Sequence, residues 1–176
     1  MKRKTQTYLT LVVVTVCMLP WPNVAESHVL GWLEWSWMQP EGIKIKTKLD
    51  TGAKTSSIDA VDIEKFERDN DSWVRFTIPL ARRTDDSDHG KDIIMESPVQ
   101  RIVKIKDHEN EAAARYVVNL TLCIGGQTLT TPVSLANRRR FNYPLLLGRS
   151  ALENKVLVDP AKTFTASTSC DGELVK

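Results

Sequence analysis

Asp50-Thr51-Gly52-Ala53 is the stretch of this chain whose residue types and spacing point most directly to chemistry. Ile43, Ile45, Thr47 and Leu49 alternate with Lys44, Lys46 and Lys48, so a half-buried strand runs straight into Asp50. Thr51 can tie the turn down, and Gly52 lets the backbone bend without a Cβ clash. Water activation by Asp50 needs a second carboxylate at hydrogen-bonding distance, the two sharing one proton because both cannot ionise there. The chain holds one Asp-Thr-Gly. Either two chains each contribute one, or the motif is an ordinary Asp-capped turn.

A second element supports the catalytic reading. Tyr143-Pro144-Leu145-Leu146-Leu147-Gly148-Arg149 is a short apolar run that ends in Gly and Arg, and Arg149 to Asn154 follows with helical character. Together with Gly31-Trp32-Leu33-Glu34-Trp35, Lys46 to Ser57 and Pro98-Val99, this segment resembles the bacterial retropepsin-like aspartic peptidases often labelled ATP-dependent zinc proteases. The resemblance covers roughly residues 30–160. It implies an all-β fold, a small closed acid-protease barrel with one short helix. It also implies a homodimer that acts on a peptide or protein substrate. Asp50 would be catalytic, Thr51, Gly52 and Ala53 would form the active-site loop, and Leu146, Leu147, Gly148 and Arg149 would support that loop from beneath.

This chain departs from the pattern at Lys54, where such enzymes usually carry an acid that pairs with the Arg after the later Gly. Lys54 and Arg149 are both cations, so another acid, Asp59 or Asp62, is expected to serve Arg149. Ala53 stands where many acid-adapted relatives place a hydroxyl, and its absence predicts a more firmly held proton and an optimum moved up from strongly acidic pH. The lid over the cleft is expected between Leu80 and Ile93, with a plain surface loop as the other reading.

The rest of the chain must position these motifs. Val74, Phe76 and Ile78 alternate with Trp73, Arg75 and Thr77, and Val103 and Ile105 alternate with Lys104 and Lys106. Val118, Leu120, Leu122 and Ile124 lead into Gly125-Gly126, and Leu129, Val133 and Leu135 return, a hairpin signal. Asp62 to Arg68 is expected to form a helical turn. The strand from Lys155 to Val158 is expected to close at Asp159-Pro160.

A length of 176 residues allows one domain with a real core. Lys2-Arg3-Lys4, an apolar stretch from Tyr8 to Leu19, and the breakers Pro20 and Pro22 come in the order of a secretory signal. The expected division is a signal peptide at 1–25, a peptidase domain at 26–163 and a flexible tail at 164–176. The protein is then exported, periplasmic in a bacterium of that type, and meets the membrane only through the signal segment if that stays uncleaved. Residues 1–25 hold three of the 24 basic residues and none of the 22 acidic ones, so the remainder carries 21 against 22, a formal charge of −1. That balance gives no electrostatic footprint for nucleic acid. Arg138-Arg139-Arg140 is expected to be a solvated turn, its other reading being cations that help hold an acidic substrate beside the cleft.

Cys123 and Cys170 remain after cleavage, and the sequence leaves open whether they pair. No Gly-x-x-x-x-Gly-Lys-Ser/Thr loop and no His-Glu-x-x-His motif is present, and His28, His89 and His108 are scattered. The acidic stretch Asp85-Asp86-Ser87-Asp88-His89 is expected to be solvated. No metal and no cofactor are expected. Against the enzyme stands one other class, a non-catalytic module whose cleft holds a peptide or envelope component on the same barrel.

Overall fold

The computed structural model describes residues 28–81, 91–105, 113–166 and Cys170. The expected signal segment, the acidic stretch from Asp85 to His89, and His108 lie outside the described residues. The chain runs β1 (His28–Met38), β2 (Ile43–Asp50), β3 (Ser56–Asp59), β4 (Val61–Arg68), β5 (Asp71–Ile78), β6 (Ile93–Pro98), β7 (Arg101–Ile105), β8 (Ala113–Ile124), β9 (Gln127–Ala136), β10 (Leu145–Gly148), α1 (Arg149–Leu152) and β11 (Val156–Thr163).

Six of these strands close a barrel in the order β1, β2, β10, β3, β9, β8, and back to β1 through Trp37 opposite Cys123 and Met38 opposite Leu122. Closure removes the unpaired edges that a short open sheet would expose. β11 adds outside β1 in parallel, and β7 adds outside β8. The fold is the all-β barrel with one short helix that the alternation and motifs implied. Its core holds Ile45, Leu49, Ile58, Leu122, Leu135 and Leu147, all essentially inaccessible to water. Gly125 and Gly126 both take positive φ and make the tight β8–β9 turn.

A separate three-stranded sheet, β4-β5-β6, lays Val74, Phe76 and Ile78 onto the same core. Here two expectations are corrected. Residues 62–68 are strand, not a helical turn: Asp69 and Asn70 both adopt positive φ, and the two-residue turn folds Phe66 against Trp73. β11 does not stop at Pro160 but continues to Thr163, because it is an edge strand and Pro is tolerated there.

Hydrogen bonds also hold the described residues beyond Thr163. The Phe164 N–H donates to the Leu33 carbonyl at 2.7 Å. The Thr165 and Ala166 amides donate to the carboxylate of Glu34, which is fully buried and also accepts the Gly31 amide at 2.7 Å. Cys170 then bonds to Cys123, with their Cα atoms 5.6 Å apart. The open question about the two cysteines is thereby answered.

Candidate active site

β10 lies between β2 and β3, although β2 and β3 are consecutive in the chain. The connection from Asp50 to Ser56 must therefore loop over the end of β10. The parallel register sets Leu146 beside Lys48, Leu147 beside Leu49 and Gly148 beside Asp50. Leu146, Leu147 and Gly148 thus flank the strand that ends at Asp50, and Arg149 follows at the start of α1.

The loop is fastened from below by backbone and side chain together. Arg149 and Ser150 donate their amides to the carbonyls of Ala53 and Lys54 at 2.9 and 3.1 Å. The Gly148 amide donates to Ser56 Oγ at 3.2 Å. The Arg149 guanidinium donates to the carbonyls of Thr51 at 2.8 Å and Gly52 at 3.0 Å. Neither Asp59 nor Asp62 serves it, contrary to expectation: with a cation at Lys54, the guanidinium turns to carbonyl oxygens. Asp59 is buried elsewhere and accepts the Arg138 amide at 2.7 Å.

The Asp50 carboxylate is held at both oxygens. Oδ1 accepts the amides of Gly52 at 3.0 Å and Ala53 at 3.3 Å, and Oδ2 meets Lys48 Nζ at 3.0 Å. The Lys48 ammonium, with the Gly52 and Ala53 amides adding to it, holds the Asp50 carboxyl below its ordinary range against a partial opposing effect of burial. This acts in the opposite sense to the missing hydroxyl at Ala53. Thr51 and Gly52 stand exposed at the tip of the loop.

A groove of about 420 Å³ opens beside Asp50, lined by Lys48, Trp32, Tyr143 and Leu146 with Arg138 and Arg140 at its wall. Arg138 is no solvated turn. It is buried, donates to Ser57 Oγ at 2.9 Å and to the Tyr143 carbonyl at 3.3 Å, and lies over the Phe141 ring. Arg139 and Arg140 are exposed. On the far side of the loop, Thr55 and Ser56 share a groove of about 540 Å³ with Arg101, Lys104 and Arg115. Among the described residues, the β7–β8 pair thus borders the active-site loop. The Leu80–Ile93 connection, where the lid is expected, joins β5 to β6, and residues 82–90 of it lie outside the described residues.

The sequence singles out neither Lys48 nor Trp32 as a site residue, and it places Arg138 first in a solvated turn and second among three cations beside the cleft. Lys48 had a signal, since period two places it on the face of β2 that carries Asp50. Nothing local marked Arg138 as buried, because Asp59 and Ser57, which fix it, are about eighty residues away. Among the described residues no three His, Cys, Asp or Glu side chains converge as metal ligands.

Residues 29–169 match the family described as retropepsin-like aspartic endopeptidase RimB. The chain belongs to this RimB-like family. A crystal structure of a Legionella pneumophila protein of unknown function is similar to it, with a TM-score of 0.67 and 36% identity, covering 80% of this chain and 99% of that one. The chain is 35% identical over 149 residues to a protein of Shewanella pealeana named probable alpha-L-glutamate ligase, and 33% identical over 134 residues to one of that name in Desulfotalea psychrophila. These matches cover 83% and 76% of this chain but 31% and 28% of the relatives. The RimB-like chain thus spans about a third of proteins whose name describes a ligase.

Proposed function

We propose that this RimB-like chain is an exported aspartic endopeptidase that cuts acidic segments of peptides or proteins, with an Asp dyad formed across a homodimer. The observation that carries the reading is Asp50 itself, a carboxylate held by two loop amides over Gly148 and fastened by Arg149. One chain supplies one such group, and the exposed Thr51 and Gly52 at the loop tip suit the approach of a second loop.

In the dimer, two Asp50 carboxyls hold one proton and one water between them. The ionised carboxylate takes a proton from the water, whose oxygen bonds to the scissile carbonyl carbon. The protonated partner gives its proton to the carbonyl oxygen. The resulting diol collapses as the nitrogen is protonated and the C–N bond breaks. The preference for acidic substrate rests on Arg138 and Arg140 at the wall of the groove, and on the glutamate-ligase name of the relatives. Export is supported by the order of the N-terminal residues and by the Cys123–Cys170 bond, a kind of linkage kept in oxidising compartments.

The test is cleavage of a peptide library by the wild type and by Asp50→Asn across pH, with and without chelator and ATP. Loss of cleavage in Asp50→Asn, with no effect of chelator or ATP, is expected. Activity that survives the substitution overturns the reading. No cleavage by either protein favours the binding module on the same barrel.

A further inference from the structure

Among the described residues, the ion pair of Asp50 is with a neighbour on its own strand. Two residues along a strand are about 6.6–6.8 Å apart and share a face, a gap that a four-carbon lysine stem closes. Lys48 does so, with Nζ 3.0 Å from Oδ2. Both partners are partly exposed, with side chains 37% and 23% accessible, so the pair adds little to stability. What it does instead is occupy the one carboxylate oxygen that the loop amides leave available.

Other titratable or charged groups surround the site. Lys54 lies in the loop and Arg149 on α1; Arg138, Arg140 and Tyr143 come from the connection between β9 and β10. The Arg149 guanidinium is turned to the Thr51 and Gly52 carbonyls, and that of Arg138 is turned to Ser57 and the Tyr143 carbonyl. β10 brings only Leu146 and Gly148. The carboxylate contact thus belongs to Lys48.

We infer that Lys48 is a positioning residue for Asp50: it fixes the orientation and charge of the carboxylate in each chain and sets the pH window in which two Asp50 side chains share a proton. This rests on the aspartic reading given above. Two carboxylates alone resist double ionisation, so they keep their proton to higher pH. An ammonium against each one relieves that repulsion, and the pair releases its proton earlier. The single chain shows the same sense, since Lys48 already holds the Asp50 carboxyl below its ordinary range and so favours its ionised form.

The experiment is carboxyl-carbon NMR titration of Asp50 in the full domain, in the wild type, Lys48→Met and Lys48→Arg, beside the pH profile of kcat/KM. Lys48→Met keeps the stem and removes the charge. The Asp50 titration and the alkaline limb of the profile are expected to move upward together by about one pH unit, and Lys48→Arg to restore both. An unmoved Asp50 titration in Lys48→Met overturns the inference. So does a uniform loss of activity with unmoved limbs, which would make Lys48 a substrate ligand. The titration needs no turnover, so it decides the role of Lys48 even if Asp50→Asn retains cleavage and the peptidase reading falls.

Discussion

Gly148 lies beside Asp50 in parallel register, and a Cβ on Gly148 would stand 2.6 Å from the Thr55 carbonyl oxygen. The Asp50 loop can cross the end of β10 only because that position has no side chain. Backbone is what a methyl group would meet, so no flexible group can yield. Gly148→Ala is expected to displace the loop and cost about 1–3 kcal/mol, the range for overpacking. Urea unfolding measures the cost, and a changed Asp50 amide environment by NMR shows where it falls. Unchanged stability with an unmoved loop would contradict the close approach.

Glu34 is a fully buried carboxylate, and each of its oxygens has an assigned task. Oε1 accepts the amides of Gly31 and Thr165 and the Thr165 hydroxyl, and Oε2 accepts the Ala166 amide. Glu34→Ala strands several donors at once, with an expected cost of roughly 3 kcal/mol or more, since one buried unsatisfied group alone costs about 1–3 kcal/mol. Glu34→Gln keeps one accepting oxygen but turns an NH₂ toward the Ala166 amide, so it should cost less. Amide exchange at Thr165 and Ala166, read beside chemical denaturation, distinguishes release of this segment from global loss.

The barrel was legible because its signals are local. Ile43, Ile45 and Leu49 alternate with lysines within one strand, and Gly125-Gly126 marks its hairpin within two residues. The loop over β10 was legible through Asp50 and Gly148, whose residue types are dictated by backbone geometry. What escaped was decided by distant partners. Residues 62–68 are charged on a largely exposed strand, so no apolar stripe announces them, and only Trp73 across the turn makes Phe66 a strand residue. Arg138 looked like part of a solvated run because Asp59 and Ser57 lie on β3. Glu34 sits among tryptophans with nothing nearby to show that the far end of the chain docks on it.

Among the described residues, three carboxyls are held below their ordinary values: Asp50 chiefly by Lys48, Glu96 by Arg75 and then Arg68, and Asp159 by the Ala161 amide and then Lys162. A depressed folded-state value means that the unfolded chain binds protons first, so the stabilisation is present above the ordinary values of 4.5 for Glu96 and 3.8 for the two aspartates. It is lost as pH falls through the folded values. Melting temperature is therefore expected to hold from neutral pH to about 5 and to decline below that, given ordinary carboxylate ionisation. Glu96 is partly exposed, so its share should shrink in about 1 M salt, where screening acts over about 3 Å. Glu96→Gln should flatten the acid limb in low salt. A melting temperature that rises on acidification would reverse the sign of the argument.

Cys123 sits on β8 at the seam where the barrel closes on Trp37, and Cys170 reaches it from the segment docked on Glu34. The bond spans a sequence separation of 47. For a loop of that length the chain-entropy estimate is about 4 kcal/mol, and typical measured values run from about 2 to 4. Cys170→Ser, chosen because Cys123 is fully buried and its replacement would disturb the core, is expected to lower stability by about 2–4 kcal/mol. Reductant should lower the wild type by a similar amount and leave Cys170→Ser unmoved. Glu34 and the disulfide hold the same segment, so their losses should not add. Once either is gone, the other restrains a segment already partly released, and the double variant Glu34→Ala with Cys170→Ser should cost less than the two singles together. Additive losses would mean that the two contacts anchor independent parts of the chain.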